Sequence, residues 1–313
     1  MSIPAFVDSH VHFWDLQRFH YPWLEGPGIE RLKRDFTPND LAAEATGLKL
    51  TGVVHVQAEV DHASDPALET AWLEELRLQS PRGILSACVG YADLRAPDLE
   101  AVLARHCAYA LFRGIRQEAW YDPQSQRADI PRTNLLADSN WVRGLKTLVR
   151  HDLSFDLLIW PHQLPQAAEI FGNEPTLPVA LEHTGLPPLH DAEGMRQWRQ
   201  GLERFAAAVP RSVLKLSGVH HATPGWSFAH HAASTRRAMR EAIDIFGPDR
   251  CMFASDFPVI SGASAYFDLW STYDQTVSDF SESERHALFA GVATRFYHLS
   301  MAPASTGNAT PVR

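Results

Sequence analysis

Histidines and carboxylates recur in this chain where apolar segments end, and those are the side chains that pass protons or hold metal ions. His10 and His12 stand two residues apart behind Asp8 in Val7-Asp8-Ser9-His10-Val11-His12, so an extended strand would present all three on one face. With 16 histidines in 313 residues, about one such His-x-His pair arises by chance, so its place at the end of the first apolar segment is the signal. Glu182-His183-Thr184-Gly185 ends a later segment, and Ser255-Asp256-Phe257-Pro258 ends the last, with Asp256 in phase with Met252 and Ala254. Gly114-Ile115-Arg116-Gln117-Glu118 puts Arg116 and Glu118 on a common face. Each residue also has a plain structural use. The histidines can hydrogen-bond each other at a rim, Asp256 can cap the amides of its loop, and Arg116 can pair with Glu118 as a buried salt bridge.

The elements that must carry these groups are eight short, apolar, β-branched segments: Phe6–Val11, Gly52–Gln57, Ile84–Gly90, Phe112–Arg116, Phe155–Trp160, Leu177–Leu181, Val213–Leu216 and Met252–Ala254. Stretches of helical period separate most of them. Their starts are legible at Thr37-Pro38, at Ser64 through Pro66, and at the capping box Ser281-x-x-Glu284 ahead of His286–Tyr297. Helices also fit Leu99–Tyr109, Trp141–Arg150, Leu164–Phe171, Met195–Val209, His231–Phe246 and Ala265–Thr276. Eight alternating pairs imply a parallel sheet closed as a single (β/α)8 TIM-type barrel over residues 1–300, followed by a small polar tail over 301–313. An open doubly wound sheet would also give this alternation, but no glycine-rich phosphate loop follows an early segment. In a barrel the reactive side chains gather at the C-terminal ends of the strands, where these histidines and carboxylates fall. Two long connections, Asp15–Asp35 and Tyr121–Asn140 with its Arg127 and Arg132, are placed to cover that end.

Composition removes other classes. Asp and Glu outnumber Lys and Arg 37 to 28, a net charge of −9, unlike a binder of nucleic acid or anionic membrane. No apolar run approaches the roughly 20 residues of a membrane span. Cys88, Cys107 and Cys251 are widely spaced and odd in number, which argues against a disulfide framework and for a reducing cytoplasm. The first residues lack the basic and apolar regions of a signal peptide.

Taken together, Val7-Asp8-Ser9-His10-Val11-His12-Phe13-Trp14, Val56-Gln57-Ala58, Arg113-Gly114-Ile115-Arg116, Phe155-Asp156, His162-Gln163-Leu164-Pro165, Glu182-His183-Thr184-Gly185, Lys215-Leu216-Ser217-Gly218 and Ser255-Asp256-Phe257-Pro258 resemble, in order, the amidohydrolase superfamily. The similarity is to its lactonase branch, which includes 2-pyrone-4,6-dicarboxylate lactonase and the L-fucono- and L-rhamnono-lactonases. The resemblance implies that His10, His12, His183 and Asp256 are catalytic and that Asp256 activates water. The fifth segment departs from the wider superfamily, having neither the lysine nor the histidine that commonly ligates there, so a two-metal site is not expected. His10, His12 and Asp256 could hold one divalent ion, zinc by donor type, leaving a fourth position for water. Relatives without a metal leave the alternative of no cofactor.

Opening a lactone needs an activated water, donors for the tetrahedral oxyanion and an acid for the ring alkoxide. Asp256 suits the first task, His10, His12, His183 and Arg116 the second, and His183 or the returning Asp256 proton the third. Trp14, Tyr91, Trp120, Tyr121 and Trp160 lie near strand ends, where aromatic faces suit a ring, though packing is their commoner use. Gln57, Glu118 and His220 complete the candidate binding set. Gln57 could instead satisfy a neighbouring histidine, and His220 and His221 are not both expected to point inward. His230, His231 and His286 read as surface residues. The expected partner is a small anionic or polyhydroxylated lactone. Metal-dependent amide hydrolysis, nonoxidative decarboxylation and ligand binding without catalysis are the competing readings.

Overall fold

The computed structural model describes residues 3–80, 83–125 and 130–300. The segment 301–313 read as a tail, and Arg127 of the second long connection, lie outside the described residues. Eight parallel strands follow one another in chain order around a barrel: β1 (Phe6–Val11), β2 (Leu50–Val56), β3 (Leu85–Gly90), β4 (Phe112–Arg116), β5 (Ser154–Leu157), β6 (Val179–Leu181), β7 (Ser212–Leu216) and β8 (Cys251–Phe253). The intervening helices are α1 (Pro38–Glu44), α2 (Ala67–Gln79), α3 (Leu99–Cys107), α4 (Ser139–Arg150), α5 (Leu164–Gly172), α6 (Ala192–Ala208), α7 (Phe228–Phe246) and α8 (Tyr266–Thr276). Beyond them α9 (Glu282–His286) runs through a π turn, Ala287–Gly291, into α10 (Val292–Phe296). The expected single (β/α)8 barrel is thus the observed fold, and no helix among the described residues is long and apolar enough to cross a membrane.

Two apolar layers hold it. Outward strand residues such as Phe6, Val11, Phe155 and Phe253 pack under the helices. Inward residues Val7, Val54, Val56, Ala87, Val89, Ala180, Val213 and Met252 fill the barrel, and Ala290, Val292, Ala293 and Tyr297 close its floor from the C-terminal helices. The strands alternate sides with period two, so β7 sends Val213 and Lys215 inward together.

β1 breaks that alternation. Its pairing with β2 shifts register between Asp8 and Val11, and such an irregularity re-aims side chains. Asp8 therefore does not share a face with His10, as simple alternation predicts. Its carboxylate accepts from the Tyr266 hydroxyl of α8 at 2.8 Å and from the Ser255 amide at 2.8 Å, on the helix side of the barrel. The closure itself is made just beyond the last strand. Asp256 N–H donates to the His10 carbonyl at 2.9 Å, and His12 N–H donates to the Phe257 carbonyl at 2.7 Å. Closing the barrel places Asp256 beside the two histidines.

Candidate active site

His10 and His12 project into the mouth from the end of β1, fully or almost fully buried. Their Nε2 atoms are 3.1 Å apart, and Asp256 Oδ1 lies 3.3 Å from His12 Nε2 and 3.8 Å from His10 Nε2. His12 Nδ1 donates to the Val56 carbonyl at 2.7 Å, which fixes the ring and aims Nε2 at the group.

His183 arrives by unusual backbone. His183, Thr184, Gly185 and Leu186 have φ of 55°, 57°, 65° and 56°, a single left-handed turn at the tip of β6. Left-handed backbone costs an L-residue about 1–2 kcal/mol, so neighbouring contacts must hold the turn. Thr184 Oγ1 donates to the Ser217 carbonyl at 2.9 Å and accepts from the Ser217 amide at 3.1 Å, and Trp198 of α6 donates to the Thr184 carbonyl at 2.9 Å. Gly218 is required beside it. Its φ is 60°, and a Cβ there would stand 2.3 Å from His183 Cγ.

After β7 the short turn Val219–His221 carries two more histidines to the same carboxylate. His221 Nε2 is 2.9 Å and His220 Nε2 3.5 Å from Asp256 Oδ2. The expectation that only one of this consecutive pair would face the site is corrected: a tight helical turn, unlike an extended loop, brings both to one side. Asp256 is therefore ringed by His10, His12, His183, His220 and His221.

Electrostatics follow from this packing. Burial alone would raise the Asp256 carboxyl, but His183 and then His221 beside it hold it well below the usual carboxylate range. Burial and then Lys215 push His10 well below an ordinary histidine, burial does the same to His183, and His12 is lowered by burial. Asp256 therefore favours the ionised form, and His10, His12 and His183 the neutral one.

Arg116, at the end of β4, is buried and donates to the Gln57 carbonyl at 2.7 Å. Three carboxylates crowd it: Glu182 at 3.5 Å, Glu118 at 3.6 Å and Glu59 at 3.9 Å. Burial and the neighbouring Glu59 push Glu118 up to about 8, and burial pushes Glu182 up to about 7. Gln57 meets the site through its carbonyl, while its side chain pairs with Glu59.

The aromatic candidates divide. Trp120 and Trp160 stack at 5.5 Å, with Trp120 edge-on to His221 at 6.0 Å and donating to Glu118 at 2.9 Å. With Ile130, Leu158, Leu186 and Ala222 they form an apolar wall at the mouth. Tyr91 stacks on His62, whose partner is Glu59, at the edge of the Arg116 cluster. Trp14 is not brought to the site. It is fully buried under the first long loop, against Phe36 and Trp23, and donates to the Arg34 carbonyl.

Three participants carried a sequence signal without an assigned role. Lys215 is a lysine inside the apolar run Val213–Leu216. It lies buried with Nζ 2.6 Å from Asp156 Oδ2 and 3.2 Å from His10 Nδ1. Asp156 of β5 also accepts from Tyr297 at 2.8 Å. Glu182, just before His183, is buried 3.4 Å from His10 Nδ1, and neither oxygen has a hydrogen bond among the described residues.

The His10, His12 and Asp256 donors span 3.1 to 3.8 Å, close to the edge of about 3.3 Å set by a tetrahedral ion with bonds near 2.0–2.1 Å. The donor set fits a divalent metal. His10, Glu182 and His183, and His183, His221 and Asp256, are further groups whose ligand atoms lie within 4.8 Å of one another.

Comparison with known proteins places the chain in a family. The family model described as amidohydrolase matches residues 7–299. The chain belongs to the amidohydrolase family. This amidohydrolase is 34% identical over 310 residues to the uncharacterized protein y4mH of Sinorhizobium fredii, covering 96% of this chain and 100% of that one. It is 33% identical over 301 residues to L-fucono-1,5-lactonase of Burkholderia multivorans, covering 94% and 96%. A crystal structure of an amidohydrolase from Burkholderia multivorans with bound zinc superposes with a TM-score of 0.79 at 31% identity, over 95% of this chain and all of that one.

Proposed function

We propose that this amidohydrolase opens the lactone of a neutral, polyhydroxylated sugar acid by attack of a water that Asp256 orients and deprotonates. The observation that carries the reading is the buried Asp256 carboxylate at 3.3 Å from His12 and 2.9 Å from His221, beside an arginine already crowded by acids. Asp256 takes the proton as the water oxygen bonds to the carbonyl carbon. Arg116 and His183 stabilise the oxyanion that forms. Collapse breaks the ring C–O bond, and the alkoxide takes the proton back from Asp256, which returns to the carboxylate. The product acid ionises, so each turnover releases one proton near neutral pH.

A divalent ion held by His10, His12 and Asp256 would polarise the carbonyl and lower the pKa of water, and the zinc bound in the similar Burkholderia multivorans amidohydrolase supports this reading. β5 offers no additional ligand, because Asp156 is occupied by Lys215 and Tyr297. Decarboxylation and two-metal amide hydrolysis, which expect a ligand on that strand, are not favoured.

The substrate class follows from charge. Arg116 is already matched by Glu59 and Glu182, and Glu118 is held protonated up to about 8, so the mouth offers donors and acceptors for hydroxyl groups and does not invite a carboxylated ring. The similarity to an L-fucono-1,5-lactonase supports the same choice. Proton release measured over neutral 1,5-aldonolactones and a pyrone dicarboxylate should show kcat/KM at least about 100-fold higher for a neutral sugar lactone, a charge mismatch of roughly 3 kcal/mol. Preference for the dicarboxylate would overturn the assignment of substrate class, and no turnover of any lactone would overturn the activity.

A further inference from the structure

His10 stands between two incompatible demands on its proton. His12 Nδ1 faces the Val56 carbonyl oxygen, which can only accept, so that nitrogen carries hydrogen and the neutral ring leaves Nε2 bare. His10 Nε2, at 3.1 Å, must then donate to it. That leaves His10 Nδ1 without hydrogen, and a buried donor meets it: Lys215 Nζ at 3.2 Å. Lys215 is anchored behind by Asp156, and Asp156 by Tyr297. From Lys215 the hydrogen bonds run one way, through His10 and His12 to Val56, while behind it Lys215 and Tyr297 both donate to Asp156.

A metal on His10, His12 and Asp256 needs the opposite arrangement. Both Nε2 atoms must be bare, so His10 must carry its hydrogen on Nδ1. An acceptor exists for that form in Glu182 Oε1, 3.4 Å away and without a hydrogen bond among the described residues. Lys215 Nζ would then face an N–H instead of a lone pair.

We propose that Lys215 locks His10 as the Nε2–H tautomer and thereby weakens metal binding at His10, His12 and Asp256, with Glu182 serving the competing, metal-ready tautomer. Lys215 is a positioning residue, acting through His10. The inference does not depend on which lactone is opened, because its readouts are a tautomer and an affinity.

Two measurements test it. Long-range 1H–15N spectra of the metal-free protein, with His10 assigned by comparison with His10→Gln, should show Nε2 protonated. A protonated Nδ1 would overturn the proposal without any variant of Lys215 being made. Zinc affinity, measured by competition with a chromophoric chelator, should rise roughly tenfold or more in Lys215→Met. The double variant Lys215→Met with Asp156→Asn removes the positive and the negative charge together, so its net charge is unchanged. It too should bind zinc roughly tenfold more tightly. Tightening in the single variant alone would assign the effect to charge and refute the tautomer lock, as would unchanged affinity in both.

Discussion

Arg116 shows how the composition of a site is set by numbers of charges rather than by any one pair. One guanidinium faces Glu59, Glu118 and Glu182, so not every carboxylate can stay ionised in a buried mouth. Glu118 is held up to about 8 by burial and by Glu59, against an ordinary value of 4.5. Its folded value lies above its unfolded one, so its contribution to stability is full below pH 4.5 and disappears as pH rises through about 8. Glu118→Gln keeps the acceptor for Trp120 but cannot ionise. Thermal unfolding should therefore find it equal to the parent near pH 5 and more stable at pH 9, by on the order of 2 kcal/mol. A variant less stable at pH 9 would show that ionised Glu118 is favoured, against this account. At this scale sequence reading was strongest for His10, His12, His183 and Asp256, whose positions at strand ends are fixed by chain order. It could not assign Lys215 or Glu182, because a hydrogen-bond partner from another strand is invisible in local spacing.

Among the elements, the turns after β6 and β7 do the most to shape the mouth. The left-handed turn His183–Leu186 has no sequence signature beyond Gly185, since Thr and Leu ordinarily avoid that backbone. It persists because Thr184 exchanges two hydrogen bonds with Ser217 and because Gly218 leaves room for the His183 ring. Thr184→Val keeps the shape and deletes both bonds, leaving the Ser217 amide buried without that partner. The expected outcome is a loss of about 1–3 kcal/mol in urea unfolding together with a fall in kcat as His183 shifts. Full activity in a destabilised variant would mean that the turn serves the fold alone. The strands themselves were legible within a few residues, from Phe6–Val11 and Phe112–Arg116 at the bounds expected to β5, which ends at Leu157 rather than Trp160. Residues 158–160 are apolar like a strand, but they leave the sheet, and Leu158 and Trp160 build the aromatic wall with Trp120. The irregularity in β1 was likewise hidden, because alternation in the sequence does not reveal where pairing slips.

For the molecule as a whole, catalysis and closure meet at one seam. The first and last strands join through backbone bonds of His10, His12, Asp256 and Phe257, so the same closure that completes the barrel assembles the acid and the histidines. Eight alternating segments made that closure readable from sequence, and with it the partnership of residues more than 240 positions apart. The backbone carries the seam, so the Asp256 side chain can be altered without opening it. The decisive measurement is proton release from a neutral 1,5-aldonolactone by Asp256→Asn beside the parent protein, with thermal unfolding of both. Water activation by Asp256 predicts a loss of roughly 1,000-fold in kcat with a cooperative unfolding transition retained. Turnover within a few-fold of the parent in that folded variant would contradict the central role given to Asp256.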